Sequence, residues 1–416
     1  MSLIAVMLAF AFYYPLFMAW LWVQGALHYY VHYERKDPVL ECPPDLPYPP
    51  VSVIVPCYNE GVHARETIGQ ALALDYPEFE VIAVNDGSSD DTGSVLDAMA
   101  AEDPRLRVIH QHPNQGKAVG LNTGLMFSRY EYLLCIDGDA LLDPYAAKWL
   151  MRHFIQSPRV GAVTGNPRIR NRSSLLGRLQ VGEFTAIIGL IKRAQRTYGR
   201  LFTVSGVLTA FRKTAVLRAG LWSKDMLTED IDISWKLQLR HWNVRFEPRA
   251  LVWILMPETL RGLWKQRLRW AKGGTQALLR NAWVLRTLRH RHMWLIYIEY
   301  FLSVIWSYSM LFIIVYWLLS VFVPGISPIA SPFIPDWYGL VLGFTCLVQF
   351  AISKSIDSRY DIGLGRNYYW MIWYPLAFWL LNVATTVVAF PQAVIRRRGK
   401  RALWTSPDRG VHLADR

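Results

Sequence analysis

Apolar residues fall into two regimes along the chain. Residues 1–31 contain no Lys, Arg, Asp or Glu, and three further apolar stretches, Met293–Val323, Trp337–Ser353 and Tyr368–Phe390, lie toward the other end. Such stretches predict bilayer-crossing helices, with Trp337–Ser353 barely reaching the minimum of roughly 17 residues. Ser2–Tyr30 is too long for a cleaved signal peptide and lacks its basic start, so it reads as a retained helix with Pro15 as a point for a kink.

A proline-rich linker, Asp37–Pro50, leads to a middle region in which charged and apolar residues mix as in a water-facing domain. The pattern there alternates: strand Val51–Pro56, helix Gly61–Leu74, strand Val81–Val84, helix Asp91–Glu102, strand Arg107–His110, helix Ala118–Ser128 and strand Tyr132–Ile136. This alternation predicts an α/β fold built on a mostly parallel sheet. Ligands of such sheets gather beyond the carboxyl ends of the strands, so the residues just after each strand carry the most weight.

The formal net charge of +13 raises nucleic acid as a partner. Its basic excess concentrates in Arg261–Arg291 and Arg396–Arg401, beside the apolar stretches, and no zinc, helix-turn-helix or RNA-binding signature accompanies it. Anchoring at the surface of a lipid bilayer explains that placement, and no nucleic-acid partner is expected. The positive-inside rule then puts the middle domain of a multi-pass protein in the cytoplasm, where anionic nucleotide sugars are available. Three full spans after that domain would carry Arg396–Arg401 to the opposite side. Either Trp337–Ser353 is re-entrant, or Met293–Val323 contains a break, or the basic tail disobeys the rule. Cys42, Cys57, Cys135 and Cys346 lack CxxC spacing and read as free thiols.

Three strand ends deliver polar clusters: Cys57-Tyr58-Asn59-Glu60, Asn85-Asp86-Gly87-Ser88 and Asp137-Gly138-Asp139. Asp86 suits a base N–H or a ribose hydroxyl, and Tyr58 offers a face for uracil, although Asn85–Ser88 also has the composition of a plain turn. Asp137 and Asp139, one residue apart, can meet a divalent cation, Mg2+ or Mn2+, that also binds a diphosphate. Lys117, at a helix start, adds a cation for phosphate or is a solvated surface lysine. In Thr228-Glu229-Asp230, Asp230 is the candidate general base; a helix cap is the alternative for the same three residues. Gln266, Arg269 and Trp270 share one helix face, fitted respectively to hydrogen-bond a sugar, grip a pyrophosphate and stack on a pyranose; Leu260, Leu263 and Trp264 suggest membrane contact on another.

In their order, Asp86, Asp137-Gly-Asp139, Thr228-Glu-Asp230 and Gln266-Arg-Leu-Arg-Trp270 resemble the motifs of the processive family 2 glycosyltransferases, which include cellulose, chitin and hyaluronan synthases. Longer strings, Val163–Arg170, Ile187–Arg193, Asp230–Leu239 and Trp404–Gly410, resemble the branch that builds β-1,6-linked N-acetylglucosamine exopolysaccharide of biofilms. The resemblance implies a GT-A fold inserted between transmembrane helices and UDP-GlcNAc as donor. It implies inversion by direct displacement, with Asp230 as base and the product exported across a bacterial inner membrane. It assigns Tyr58, Glu60, Asp86, Lys117, Asp137, Gln266 and Arg269 to the nucleotide sugar. Asp137 and Asp139 go to the metal, and Ser205, Gly206, Glu229 and Trp270 to the growing polysaccharide.

The expected division is residues 1–31 as a transmembrane helix, 32–50 as linker, 51–256 as the GT-A domain, 257–292 as interface helices, 293–391 as a transmembrane region and 392–416 as a basic tail. A small membrane partner subunit and a response to cyclic di-GMP are implied by the resemblance alone. Relatives often begin with two apolar helices, whereas this sequence starts within what looks like the second. A non-processive transferase acting on a lipid carrier, and a nucleotide-binding sensor without turnover, are the competing readings.

Overall fold

The computed structural model describes residues 2–36, 43–333, 336–361, 363–364, 374–396 and 399–403. Cys42, residues 368–373 of the last apolar stretch, Arg397, Arg398 and the Trp404–Gly410 string lie outside them. Helix α1 (Leu3–Tyr29) contains Pro15 without interruption and runs on as a π-helical turn to Glu34.

Strands β1 (Val51–Cys57), β2 (Phe79–Asp86), β3 (Leu106–Gln111) and β4 (Tyr132–Ile136) alternate with helices α2 (Gly61–Leu72), α3 (Thr92–Glu102) and α4 (Lys117–Phe127). The four strands are parallel in the order β3-β2-β1-β4. Every residue of β1 and β2 is buried, as expected for strands covered by helices on both faces. The chain winds away from β1 in both directions, so the crevice between β1 and β4 is the switch point where such sheets bind ligands.

The rest of the domain comprises β5 (Leu141–Leu142), α5 (Ala146–Gln156), β6 (Val160–Ile169), α6 (Leu175–Phe184), α7 (Ile191–Tyr198), β7 (Leu208–Arg212), α8 (Lys213–Ala219), α9 (Glu229–Leu239) and β8 (Asn243–Ile254). Strand β7 runs antiparallel to both β4 and β6, which makes the eight-stranded sheet mixed. The domain therefore has the mixed, mostly parallel sheet expected, flanked by apolar helices.

Helix α10 (Leu260–Arg280) is amphipathic and opens on Thr259, whose hydroxyl accepts from Gly262 N at 3.0 Å. Three apolar helices follow, α11 (Trp294–Phe322), α12 (Trp337–Asp357) and α13 (Tyr374–Ile395). Four helical stretches are long and apolar enough to cross a membrane: Leu3–Glu34, Leu288–Phe322, Trp337–Asp357 and Ala377–Ile395.

A buried ionic network binds these helices to the domain. Arg193 of α7 grips Glu34, at the end of α1, through Nε–Oε2 and Nη2–Oε1 contacts of 2.7 and 2.8 Å. Its Nη1 donates to Asp357 at the end of α12 at 2.8 Å, and Arg168 of β6 donates to the same carboxylate at 3.0 Å.

The described residues around the last apolar stretch make contacts that the sequence did not suggest. Helices α11 and α12 are each continuous, so neither a break nor a half-span is involved. After α12, Asp361 pairs with Arg172 of the domain. After α13, Gly399 N donates to Asp225 at 3.3 Å and Ala402 N to Lys224 O at 2.8 Å. Described residues before and after the last apolar stretch, Asp361, Gly399 and Ala402, thus all contact the same domain.

Candidate active site

Parallel pairing aligns Cys57 of β1 with Asn85 of β2, so the clusters that follow them leave the sheet at one level. They are tied together there: Asn59 N donates to Ser88 Oγ at 3.0 Å and Ser89 N to Asn59 Oδ1 at 2.8 Å. The segment Asn85–Ser88 is a turn, closed by Ser88 N on Asn85 Oδ1 at 3.1 Å. The segment is thus the turn that its composition allows, and it places Asp86 against the start of α4.

Asp86 is fully buried, and its two carboxylate oxygens accept from Gln115 N and Gly116 N, each at 2.7 Å. Burial pushes its pKa up, against those two donors and the charge of Arg401. Gly116 has φ of 91°, a conformation that favours glycine, and lets α4 begin immediately after this contact.

Lys117, the first residue of α4, crosses from the Asp86 side toward α9. Its Nζ lies 2.5 Å from Asp137 Oδ1 and 2.9 Å from Glu229 Oε1, and it donates to Gly206 O at 3.4 Å. Burial alone would neutralise it, yet Asp137 and Glu229 together push its pKa above that of a free lysine. It is not a solvated surface lysine.

Gly206 is the point of closest approach. A Cβ there would sit 3.2 Å from Lys117 Nζ and 3.3 Å from Asp230 Oδ2, so any side chain would crowd both charges. The structure therefore brings Asp86, Lys117, Asp137, Gly206, Glu229 and Asp230 into one connected cluster. Ser205 flanks it through its backbone, with its N donating to Thr164 Oγ1 at 2.7 Å. Glu60 is buried behind Gly138, whose Cβ position lies 3.0 Å from Glu60 Cγ, and Tyr58 is half-buried at the end of β1.

Asp230 lies in the first turn of α9. Thr228 holds the N-cap position without a side-chain cap bond, and Glu229 is spent on Lys117, so capping does not account for the motif. Asp230 Oδ1 accepts only locally, from Ile231 N at 2.9 Å. Burial and then the neighbouring Glu229 push its pKa up to about 6, with Lys117 opposing. Asp139 is raised to about 7 by burial and by repulsion from Asp137.

Among the described residues, no three or more His, Cys, Asp or Glu side chains are grouped to hold a metal by themselves. Asp137 and Asp139 nevertheless fit one. Two repelling, half-buried carboxylates form an oxygen site that a divalent cation would satisfy together with ligand oxygens.

Helix α10 brings the last cluster. Gly273 packs on the Thr228 side chain so closely that a Cβ would lie 2.0 Å from Thr228 Oγ1. Arg269 is exposed, and its charge helps hold Glu229 and Asp230 ionised. Gln266 donates weakly to Met256 Sδ at 3.9 Å. Trp270 is half-buried beside Phe184, with ring centroids 6.3 Å apart. The guanidinium of Arg267, paired with Glu183 at 2.9 Å, stands 4.2 Å from the Trp270 ring centre. One face of the indole is therefore already covered.

Two features went unread in the sequence. Lys192 is buried, donates to Thr164 Oγ1 at 3.4 Å and feels the charge of Asp230; burial lowers its pKa to about 7. The only sequence signal was a lysine closing the apolar run Ile187–Ile191. The tail segment 399–403 passes the start of α4, where Arg401 hydrogen-bonds Gln115 and Ala402 O would lie 2.2 Å from a Cβ on Gly116.

A family model described as glycosyltransferase like family 2 matches residues 49–273. A poly-β-1,6-N-acetyl-D-glucosamine synthase of Staphylococcus epidermidis is 38% identical over 405 residues, covering 96% of this chain and 98% of its own. A synthase of the same description from Staphylococcus aureus is 38% identical over the same shares. Among solved structures, a mannosyltransferase from Pyrobaculum calidifontis in complex with GDP-Man and Mn2+ is similar at a TM-score of 0.65 over 95% of this chain and 99% of that one. At 20% identity, that likeness establishes the fold alone. The family match takes in the sheet, the acidic pocket and most of α10, and the staphylococcal relatives extend over nearly all the rest: the chain belongs to the family 2 glycosyltransferases.

Proposed function

We propose that the protein transfers N-acetylglucosamine from UDP-GlcNAc to the end of a growing β-1,6-linked poly-N-acetylglucosamine chain, at the cytoplasmic face of an inner membrane. The observation that carries this reading is the segment Gln115-Gly116-Lys117. Its backbone binds Asp86, and its lysine binds Asp137 and Glu229 next to Asp230, so donor and acceptor machinery share one support. Similarity to the staphylococcal synthases along almost the whole chain supports the substrate.

In this reading Asp86 and Tyr58 hold the uridine, while Lys117 and Arg269 meet the diphosphate. A divalent metal held by Asp137 and Asp139 would neutralise charge on the departing UDP. Asp230 takes the proton of the acceptor hydroxyl as that oxygen attacks the anomeric carbon; the C–O bond to UDP breaks, and the α-linked donor becomes a β-linked product. Ser205, Gly206 and the open face of Trp270 guide the polymer end. Export, a small partner subunit and control by cyclic di-GMP extend the proposal on resemblance alone.

Membranes containing the protein are incubated with UDP-GlcNAc and Mg2+, and the product is digested with linkage-specific glycosidases. Resistance to chitinase and cleavage by a β-1,6-N-acetylglucosaminidase are expected. A chitinase-sensitive product would redirect the linkage. Trp270→Ala should keep UDP binding and yield only short products, and full-length polymer from that variant would count against processive holding.

A further inference from the structure

A cavity of about 380 Å³ at the end of α1 shares no residue with the pocket around Asp230. Its volume falls within the range of small-ligand clefts, roughly 300–1,000 Å³. Its walls come from the end of α1, α5, α7 and β8, and they carry Arg152, Arg196, Arg245 and Arg249 against two carboxylates, Glu34 and Glu247.

Both carboxylates are already engaged. Glu34 is held by the fork of Arg193, and Glu247 by His153 Nε2 at 2.9 Å and Arg249 Nε at 2.8 Å. Arg196 and Arg245 form no ion pair among the described residues; Arg245 Nη1 lies 3.4 Å from His153 Nδ1, and its Nε is buried without a hydrogen-bond partner. Burial and the repulsion of Arg196 push the Arg245 guanidinium below its ordinary value. Two facing cations with no carboxylate left for them are unfavourable in a half-buried cleft, and an oxyanion relieves both. Guanidinium forks match phosphate oxygens in particular. The cavity also lies at the end of the apolar stretch Leu3–Glu34, where Tyr33 is 65% exposed, and the ends of bilayer-crossing helices are where headgroups are met.

We infer that this arginine-lined cavity is a binding site for a phosphate-bearing anion, supplied either by a lipid headgroup at the bilayer surface or by a soluble phosphate compound. It is separate from the donor-sugar site and does not depend on the identity of the polymer.

The test uses the full-length protein in nanodiscs. In phosphatidylcholine discs it is titrated with inorganic pyrophosphate; in discs containing phosphatidylglycerol, lipid retained through detergent release is counted by native mass spectrometry. Arg196→Gln with Arg245→Gln should weaken binding in at least one arm by roughly tenfold or more, the scale of a lost charge-assisted hydrogen bond. Loss in the lipid arm identifies a headgroup, and loss in the pyrophosphate arm identifies a soluble ligand. The donor site contributes the same background to both proteins. Arg196→Gln alone, which breaks no ion pair, should keep the ligand-free melting temperature and still lose affinity. Binding equal to that of the unmodified protein in both arms, for both variants, would overturn the inference.

Discussion

At the scale of single residues, the pocket sets the pH at which Asp230 can serve as a base. A base must be unprotonated, so kcat/KM should fall about tenfold per pH unit below the pKa of about 6 that burial and Glu229 impose. Asp230→Asn should lower kcat by roughly 10²–10⁴ while leaving UDP-GlcNAc binding intact, and a rate close to that of the unmodified enzyme would refute the assignment. Lys117 opposes the rise in the Asp230 pKa. Removing that cation in Lys117→Met should move the acid limb of the profile to higher pH by about one unit or more, since a lost positive neighbour favours the protonated carboxyl. Asp86, Asp137, Asp139 and Asp230 stood out as candidates because three stand at or just after strand ends and the fourth stands in the Thr-Glu-Asp triplet. Lys192 did not, because a lysine in sequence carries no mark of burial, and burial is what lowers its pKa.

At the scale of elements, α10 packs against the start of α9, with Gly273 on the Thr228 side chain. Gly273→Val would drive a side chain into Thr228 and separate the two helices. Overpacking of this kind costs about 1–3 kcal/mol, so the variant should fold with a lowered melting temperature and lose most of its transfer rate. Retained full kcat would show that α9 tolerates the shift. The helix periodicity of Gln266, Arg269 and Trp270 predicted a shared face. It did not reveal that Arg267 stands against the indole, because that residue is held there by Glu183 of α6, distant in sequence. The antiparallel course of β7 was equally invisible, since strand alternation is the same in either direction.

At the scale of the whole molecule, the charged network around Arg193 joins the apolar helices to the catalytic domain. Arg193→Met would leave Glu34 and Asp357 buried with their ion pairs reduced, a loss of about 3–5 kcal/mol, visible as a lower melting temperature in detergent. The contacts of residues 399–402 with Asp225, Lys224 and Gln115 make a topological prediction. A cysteine placed at Ala402→Cys should react with an impermeant maleimide only from the side bearing the catalytic domain, and labelling from the opposite side would contradict the fold.

The sequence by itself determined the α/β alternation, the apolar stretches and the acidic stations of the pocket, because these follow from hydrophobic period and from short motifs at strand ends. Tertiary structure alone decided that Arg267 covers a face of Trp270, that Lys117 bridges Asp137 and Glu229, and that residues 399–402 contact the domain. Each of these depends on pairs of side chains far apart in the chain whose meeting is set by packing, which no local pattern records.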